Sequence, residues 1–290
     1  MSRVLVLLLC LSAPGAFAQD GEQVPAPTPP PPGPDLRDLM HSRNLAMGGA
    51  YMSMGYGAET LGGNPAALSA FKRYQIEASG SWDIPNGMGF GTLALADSTN
   101  QFAGGISYHF ATFGGLGRRW AHVTTLALSY AIADWIHLGV SGRHHVIVGA
   151  SNTNSITMNA GLLIKPVQWL SLGVSGHNLI YNFNRDITRY FVASASALIL
   201  GQLTPCFDLR ADFNQPTPRF AYHGGLEWLI AMTVPVRVGY QYDGIMNHHY
   251  VSGGVGWFME GSGVDFAYRH EIGGANGRLV SLTIKLQLGQ

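Results

Sequence analysis

The chain has 290 residues, with 17 Lys and Arg balanced by 17 Asp and Glu, so its formal net charge is zero. This balance argues against nucleic acid as a partner, because proteins that bind it are usually basic. Charged residues make up 12% of the chain, about half the usual share. No uncharged apolar run after the first 18 residues is long enough for a transmembrane helix.

The first 18 residues have the pattern of a secretory signal peptide. Arg3 is followed by an apolar run and by the small-residue site at 16–18, which predicts cleavage before Gln19. Cys10 has Leu on both sides, where a lipoprotein signal needs small residues before the cysteine. The mature chain then contains a single cysteine, Cys206, which excludes an internal disulfide.

Residues 19–35 include the stretch VPAPTPPPPGPD, which favours extended polyproline II and cannot build a core. We interpret it as a periplasmic linker, and the alternative is a docking site for a periplasmic partner. A short helix is predicted at 36–44.

The segment 36–72 is crowded with glycine and alanine, which makes it a poor strand and a poor long helix. Its glycines permit close packing and positive φ angles. Asn64 can cap a helix and Pro65 suits a first helical position, so a short helix is predicted at 65–71.

From Arg73 onward the chain alternates apolar and polar residues with a period of two, which is typical of strands with one apolar face. The last segment is the clearest, with Val280, Leu282 and Ile284 on one face and Ser281 and Thr283 on the other. Fourteen strands are predicted, at 73–83, 87–97, 100–110, 119–131, 135–147, 154–165, 168–180, 188–199, 205–213, 218–228, 232–243, 248–258, 262–272 and 277–289.

This pattern predicts an all-β protein, a fourteen-stranded antiparallel transmembrane β-barrel spanning residues 73–290. An even strand number puts both barrel ends on the periplasmic side. Trp135 and Trp169 are then expected at that membrane boundary, where indole rings are favoured. The alternative is a soluble β-sandwich, whose strands would usually be shorter and whose apolar faces would carry fewer interface aromatics.

The inward face of the predicted barrel carries charges of both signs. We expect cross-strand ion pairs that fill the lumen, since a selective ion channel would show a ring of one sign. If the lumen has room, arginine in place of Ser281 or Thr283 is expected to cost much less than arginine on the lipid face. The predicted inward charges are Glu77, Arg143, Asp208, Arg210, Asp212, Glu227, Arg237, Asp243, Asp265, Arg269 and Lys285.

Other patterns favour neither a metal site nor an enzyme. The pairs His144–His145 and His248–His249 lie near the predicted outer rim, and neighbours on a strand point to opposite faces, so each pair can give a site only one ligand. No G-x-S-x-G nucleophile motif stands in a strand–turn–helix context. The stretch GGLGRRW at 114–120 lacks the GK[ST] ending of a phosphate loop. We therefore expect no catalytic residue, cofactor or metal.

The stretch RNLAMGGAYMSMGYGAETLGGNPAALSAFKRYQIEASGSW resembles the N-terminal signature of the FadL-type outer-membrane transport family, which includes the PorV-like proteins. The resemblance implies a fourteen-stranded barrel whose N-terminal segment, here 36–72, is a plug inside the lumen. The residues of the matching plug motif are Gly48, Gly49, Asn64, Pro65 and Ala66. The chain differs from the family at Gly55, Tyr56 and Gly57, in its short predicted outer loops and in its final residue, Gln290.

The resemblance implies an outer-membrane protein of a Gram-negative bacterium that passively transports small hydrophobic compounds. Interior glycines such as Gly104, Gly139 or Gly173 are expected to open an exit route through the wall. The alternative is a PorV-like scaffold or anchor of a secretion or surface-motility complex. Expected partners are outer-membrane lipid and, for the alternative, periplasmic or outer-membrane proteins.

Overall fold

The structure is a computed structural model. It describes residues 41–54, 57–85, 87–113, 119–148, 152–180, 187–213, 218–244, 247–274 and 277–288. The predicted signal peptide and linker, the first residues of the predicted plug, Gly55, Tyr56 and the loop 114–118 lie outside the described residues.

The prediction of a fourteen-stranded antiparallel barrel is confirmed within these described ranges. Most strand boundaries agree with the predicted ones to within three residues, because the alternation of apolar and polar residues stops where each strand stops. The strands are β1 Tyr74–Asp83, β2 Met88–Asp97, β3 Phe102–Phe113, β4 Arg119–Ala133, β5 Ile136–Val148, β6 Thr153–Val167, β7 Leu170–His177, β8 Tyr190–Ala197, β9 Leu203–Asp212, β10 Arg219–Ile230, β11 Val234–Asp243, β12 His248–Met259, β13 Ser262–Ile272 and β14 Arg278–Leu288.

The sheet closes because β1 pairs with both β2 and β14, and every other strand pairs with its neighbours in sequence. We call the end where β1 begins and β14 finishes the near end, and the opposite end the far end. Register shifts interrupt the ladder at Ala131/Ala133 and at Ile164/Val167, both close to near-end turns.

The two faces of the wall have opposite chemistry. On β14, Leu282, Ile284 and Leu286 are about half exposed (48–50%), whereas Thr283 and Lys285 between them are at most 2% exposed. The outer face is therefore apolar and the inner face polar, which is the pattern of a barrel that faces lipid. Trp135 and Trp169 stand exposed at near-end turns, as the membrane-boundary prediction requires. Among the described residues, no helix is both long and apolar enough to cross a membrane.

The N-terminal segment from residue 41 to residue 70 contains one α-helix, α1 (Ser42–Ala46), and two 3₁₀ helices, Gly57–Gly62 and Pro65–Ala70. The predicted helix at 65–71 is confirmed as the second 3₁₀ helix. The side chain of its N-cap, Asn64, accepts a hydrogen bond from the Ala66 N–H at 3.0 Å. Residues 36–40 of the helix predicted at 36–44 lie outside the described residues, and α1 covers the remainder from Ser42.

This segment packs against the inner face of the barrel. α1 contacts β11–β14, the first 3₁₀ helix contacts β1–β4, and the second contacts β3–β6. Gly48 has a φ of +66°, and a Cβ there would lie 2.6 Å from the backbone nitrogen of Tyr240 on β11. Only glycine lets the chain turn this close to the wall.

Candidate functional site

A ring of ion pairs joins the N-terminal segment to the barrel wall. Arg43 donates from Nε and Nη2 to both carboxylate oxygens of Glu227 at 2.8 Å, and its Nη1 lies 3.1 Å from Glu59. Around the ring, each charged side chain contacts two of opposite sign, and all six are buried. In order, the members within the described residues are Arg43, Glu227, Arg237, Asp265, Lys285 and Glu59.

The strand register brings the barrel members of this ring together. Arg237 and Glu227 are direct partners on β11 and β10, with Nε 2.6 Å from the carboxylate. Arg237 also reaches across β12 to Asp265 at 2.5 Å. A Cβ at Gly256 would lie 2.2 Å from the Asp265 carboxylate, so a glycine on β12 is required for this contact.

The N-terminal side of the ring is anchored by Glu59. Lys285 donates to its carboxylate and also contacts Asp265 at 2.8 Å. Burial alone would raise the pKa of Glu59, but the charges of Lys285 and Arg43 outweigh it and hold that pKa below its ordinary value. Glu77 lies beside the ring, 3.7 Å from Lys285 and 2.8 Å from His41 Nδ1.

The structure thus brings together Glu77, Glu227, Arg237, Asp265 and Lys285 of the predicted lumen charges. The remaining predicted lumen charges either bind the backbone of the N-terminal segment or lie outside the ring.

Asp208 accepts hydrogen bonds from the N–H groups of Tyr51 and Met52 at 2.9 and 3.0 Å. Arg143 donates to the Gly62 carbonyl at 3.2 Å. Arg210 lies 4.0 Å from the Tyr190 ring centre. Arg269 stacks on Tyr250, while Asp212 and Asp243 are buried on the inner face.

The predicted network omitted His41, Arg43 and Glu59. Alternation cannot detect them because they lie outside the strands. The available signal was their isolation, since Arg43 and Glu59 are the only Lys, Arg, Asp or Glu residues between positions 41 and 71. A lone charge in an apolar, glycine-rich segment that becomes buried has to find a partner.

A notch of about 550 Å³ indents the outer face in the far half of the barrel, across β1, β2 and β14. Its floor is formed by outward glycines, of which Gly80 and Gly91 are direct cross-strand partners. A Cβ at Gly91 would meet no atom within 4 Å. The lining residues are Gly80, Ser81, Trp82, Gly89, Phe90, Gly91, Phe110, Thr112, Phe266, Val280, Ser281 and Leu282.

The inner side of this notch touches the N-terminal segment. Ser81 donates to the hydroxyl of Ser281 at 2.8 Å, and Ser281 in turn bonds Ser42 at 2.8 Å. Phe90 packs inside against buried apolar clusters that include Leu45 of α1. The notch therefore lies directly outside the place where the start of the segment meets the wall.

The exit route expected at Gly104, Gly139 or Gly173 is not found in the described part of the wall. A Cβ at Gly139 would lie 2.3 Å from the Ala66 nitrogen, and one at Gly173 would lie 2.5 Å from the Ser194 hydroxyl. These glycines make room for packed neighbours and open no gap, and a Cβ at Gly104 would touch Leu128 at 3.7 Å.

Arginine would also find no room at Thr283, which is 0% exposed, or at Ser281, which is 2% exposed. Thr283 accepts a hydrogen bond from the Ser42 N–H at 3.0 Å.

The rim histidines point to opposite faces, as alternation predicts. His144 and His249 are exposed on the outer face, where they bond Asn154 and Tyr240. His145 is buried on the inner face. Among the described residues, no group of three or more metal-ligating side chains is close enough to hold an ion.

Comparison with solved structures identifies the fold. A monoaromatic hydrocarbon channel, CymD, superimposes with a TM-score of 0.72 at 13% identity, covering 87% of this chain and 98% of that one. The toluene transporter TbuX of Ralstonia pickettii gives 0.68 at 12% identity, with 86% and 97% covered. A FadL homologue of Pseudomonas aeruginosa gives 0.61 at 12% identity, with 86% and 97% covered.

The chain has a FadL-type fold. No family model matches the sequence, and no curated protein matches it. Sequence identity to these three structures is 13% or below. The N-terminal stretch and the strand alternation were the sequence features that indicated this fold.

Proposed function

We propose that this FadL-type barrel lies in the outer membrane of a Gram-negative bacterium and lets small hydrophobic compounds cross it passively. The apolar outer face supports the membrane location, and the matching structures are named as channels and transporters of hydrocarbons. The near end would face the periplasm. Its lipid partner would be the outer membrane itself, and no catalytic step is involved.

In this proposal the N-terminal segment is a plug that blocks the straight path. The buried ion-pair ring fixes it to β10, β11, β13 and β14, so the lumen is filled at that level. An open water-filled pore of the general porin type is not expected from this packing. A compound entering from the far end needs another way out.

The observation that carries the proposal is the notch, which would serve as a lateral exit to the membrane. Its outer walls are apolar and aromatic, and its inner rim includes Ser81, Phe90 and Ser281. The hydrogen-bonded ladder continues through Gly80, so passage requires β1 to separate locally from a neighbouring strand. Glycine makes this strand separation easier, because it contributes no cross-strand side-chain packing.

The test is to fill the notch. Gly91→Leu places a side chain in the open space of the notch, and Gly142→Leu is the matched control on β5, another position where a Cβ meets no atom within 4 Å. Uptake of a radiolabelled monoaromatic hydrocarbon by cells carrying each variant is measured at equal barrel content. We expect several-fold slower uptake for Gly91→Leu alone, and equal uptake for both variants would reject the lateral exit.

The alternative of a PorV-like scaffold or anchor gains no support from the matching structures reported above. It remains testable by pull-down of the tagged chain from its native outer membrane. A stoichiometric protein partner, together with hydrocarbon uptake no faster than in cells lacking the barrel, would favour it over transport.

A further inference from the structure

Arg143 differs from the ion-paired cations of the lumen. Arg43, Arg237 and Lys285 each contact at least two carboxylates, whereas Arg143 donates to the carbonyl of Gly62. Its side chain is 5% exposed. Within the part of the chain that the structure describes, no carboxylate lies within ion-pair distance of Arg143.

Hydroxyl and imidazole groups surround this guanidinium. Thr125 on β4 and Thr157 on β6 are its direct cross-strand partners, and His145 follows two residues later on the same face of β5. We call these four residues the Arg143 cluster. Each is at most 5% exposed. The Arg143 Nε, both threonine hydroxyls and both ring nitrogens of His145 have no hydrogen-bond partner among the described residues.

The surrounding field is positive. Arg143 is among the cations whose charge acts on His109, His145 and His177. The carboxylates of Glu227 and Asp265 are engaged in the ring, and that of Asp208 is engaged at the Tyr51–Met52 backbone.

A guanidinium cannot lose its proton in a protein, so Arg143 keeps its charge when buried. An unpaired buried charge is costly, and a neutral partner satisfies its hydrogen bonds without cancelling the charge. Donors from one arginine, two hydroxyls and an imidazole suit an acceptor with one negative charge.

We propose that the Arg143 cluster binds a small monovalent anion, the size of chloride or of a single carboxylate group. The threonines are fully buried, which excludes a bulky anion. The bound anion would neutralise the charge of Arg143, which donates to the Gly62 carbonyl, and would so stabilise the end of the first 3₁₀ helix. This inference does not depend on the transport of hydrocarbons.

The test measures the midpoint of urea unfolding for the full chain in detergent micelles. Sodium chloride and sodium acetate are titrated against sodium gluconate at constant ionic strength. We expect a saturable rise in the urea midpoint. A rise with both chloride and acetate indicates that the site takes any small anion, whereas a rise with acetate alone indicates a carboxylate ligand. Gluconate is too large for the site.

Variants link the response to the cluster. Arg143→Met should lose it, and Arg143→Lys should retain part of it because the charge remains. Arg278→Met, which removes an exposed arginine at the far end of β14, should respond like the native chain. Equal responses of the native chain and Arg143→Met, or none in the native chain, would overturn the proposal.

A second measurement needs no variant. Crystals of the native chain grown with sodium bromide should show an anomalous peak beside Arg143. Bromide density elsewhere in the barrel, with none at Arg143, would also overturn the proposal.

Discussion

At the scale of single residues, burial decides which ion pairs affect the stability of the protein. Arg237 is 1% exposed and holds Glu227 and Asp265 at the same time, so it links three strands through one side chain. Ion pairs on a protein surface contribute little, whereas removing one member of a buried pair leaves an uncompensated charge. The ring is therefore most sensitive to changes that delete a single member.

Arg237→Met is expected to lower the free energy of unfolding by about 3 kcal/mol, the lower end for a broken buried pair. Glu227 keeps Arg43 and Asp265 keeps Lys285, which limits the loss. Urea unfolding in micelles measures it, with Arg278→Met as the exposed control. A loss no larger than that of the control would show that the ring does not stabilise the barrel.

Glu59 makes the ring sensitive to acid. Its pKa lies below the ordinary value of 4.5, so its ionised form is favoured by folding. This contribution is complete above the unfolded value and is lost as the pH falls through the lower folded value. The difference in urea midpoint between the native chain and Glu59→Gln should therefore shrink as the pH falls below 4.5. A difference in urea midpoint that stays constant between pH 7 and pH 3 would contradict an ionised Glu59 in the ring.

At the scale of strands and helices, alternation predicted all fourteen strands because each wall residue meets either lipid or lumen. It did not predict what fills the lumen. Alternation could not show that Pro65, Ala66 and Ser194 pack closely against Gly139 and Gly173. The outward Gly80 and Gly91 carry no side chain, so they gave no signal for the notch.

The lipid-facing assignment of β11 can be measured. Val238 is 54% exposed on the outer face near the middle of its strand. Val238→Arg is expected to cost about 2–4 kcal/mol, because a charge near the bilayer midplane loses its hydration. Unfolding in lipid vesicles should show this loss, with Val238→Leu unchanged within about 0.5 kcal/mol. Equal values for the two variants would reject the register of β11.

At the scale of the whole molecule, the N-terminal segment and the barrel share one buried interior. Asp208, Arg143 and the ring each hold a different part of the segment, so its removal exposes several charges at once. We expect deletion of residues 45–68 to leave a closed barrel of lower stability, because the hydrogen-bonded wall does not depend on the segment.

In planar bilayers the intact protein should conduct ions poorly, and the 45–68 deletion should conduct much more. Heat-modifiable migration on gels checks that the deletion variant still forms a barrel. Large, steady conductance of the intact protein would refute a plugged lumen.

The ring also constrains the order of assembly. Lys285 lies on the last strand, 226 residues from the Glu59 carboxylate that it neutralises. Until β14 has paired with β1, Glu59 and Asp265 lack this cation, and seating the N-terminal segment would bury excess negative charge. The N-terminal segment therefore reaches its final position late, after the sheet has closed around the space that the segment fills.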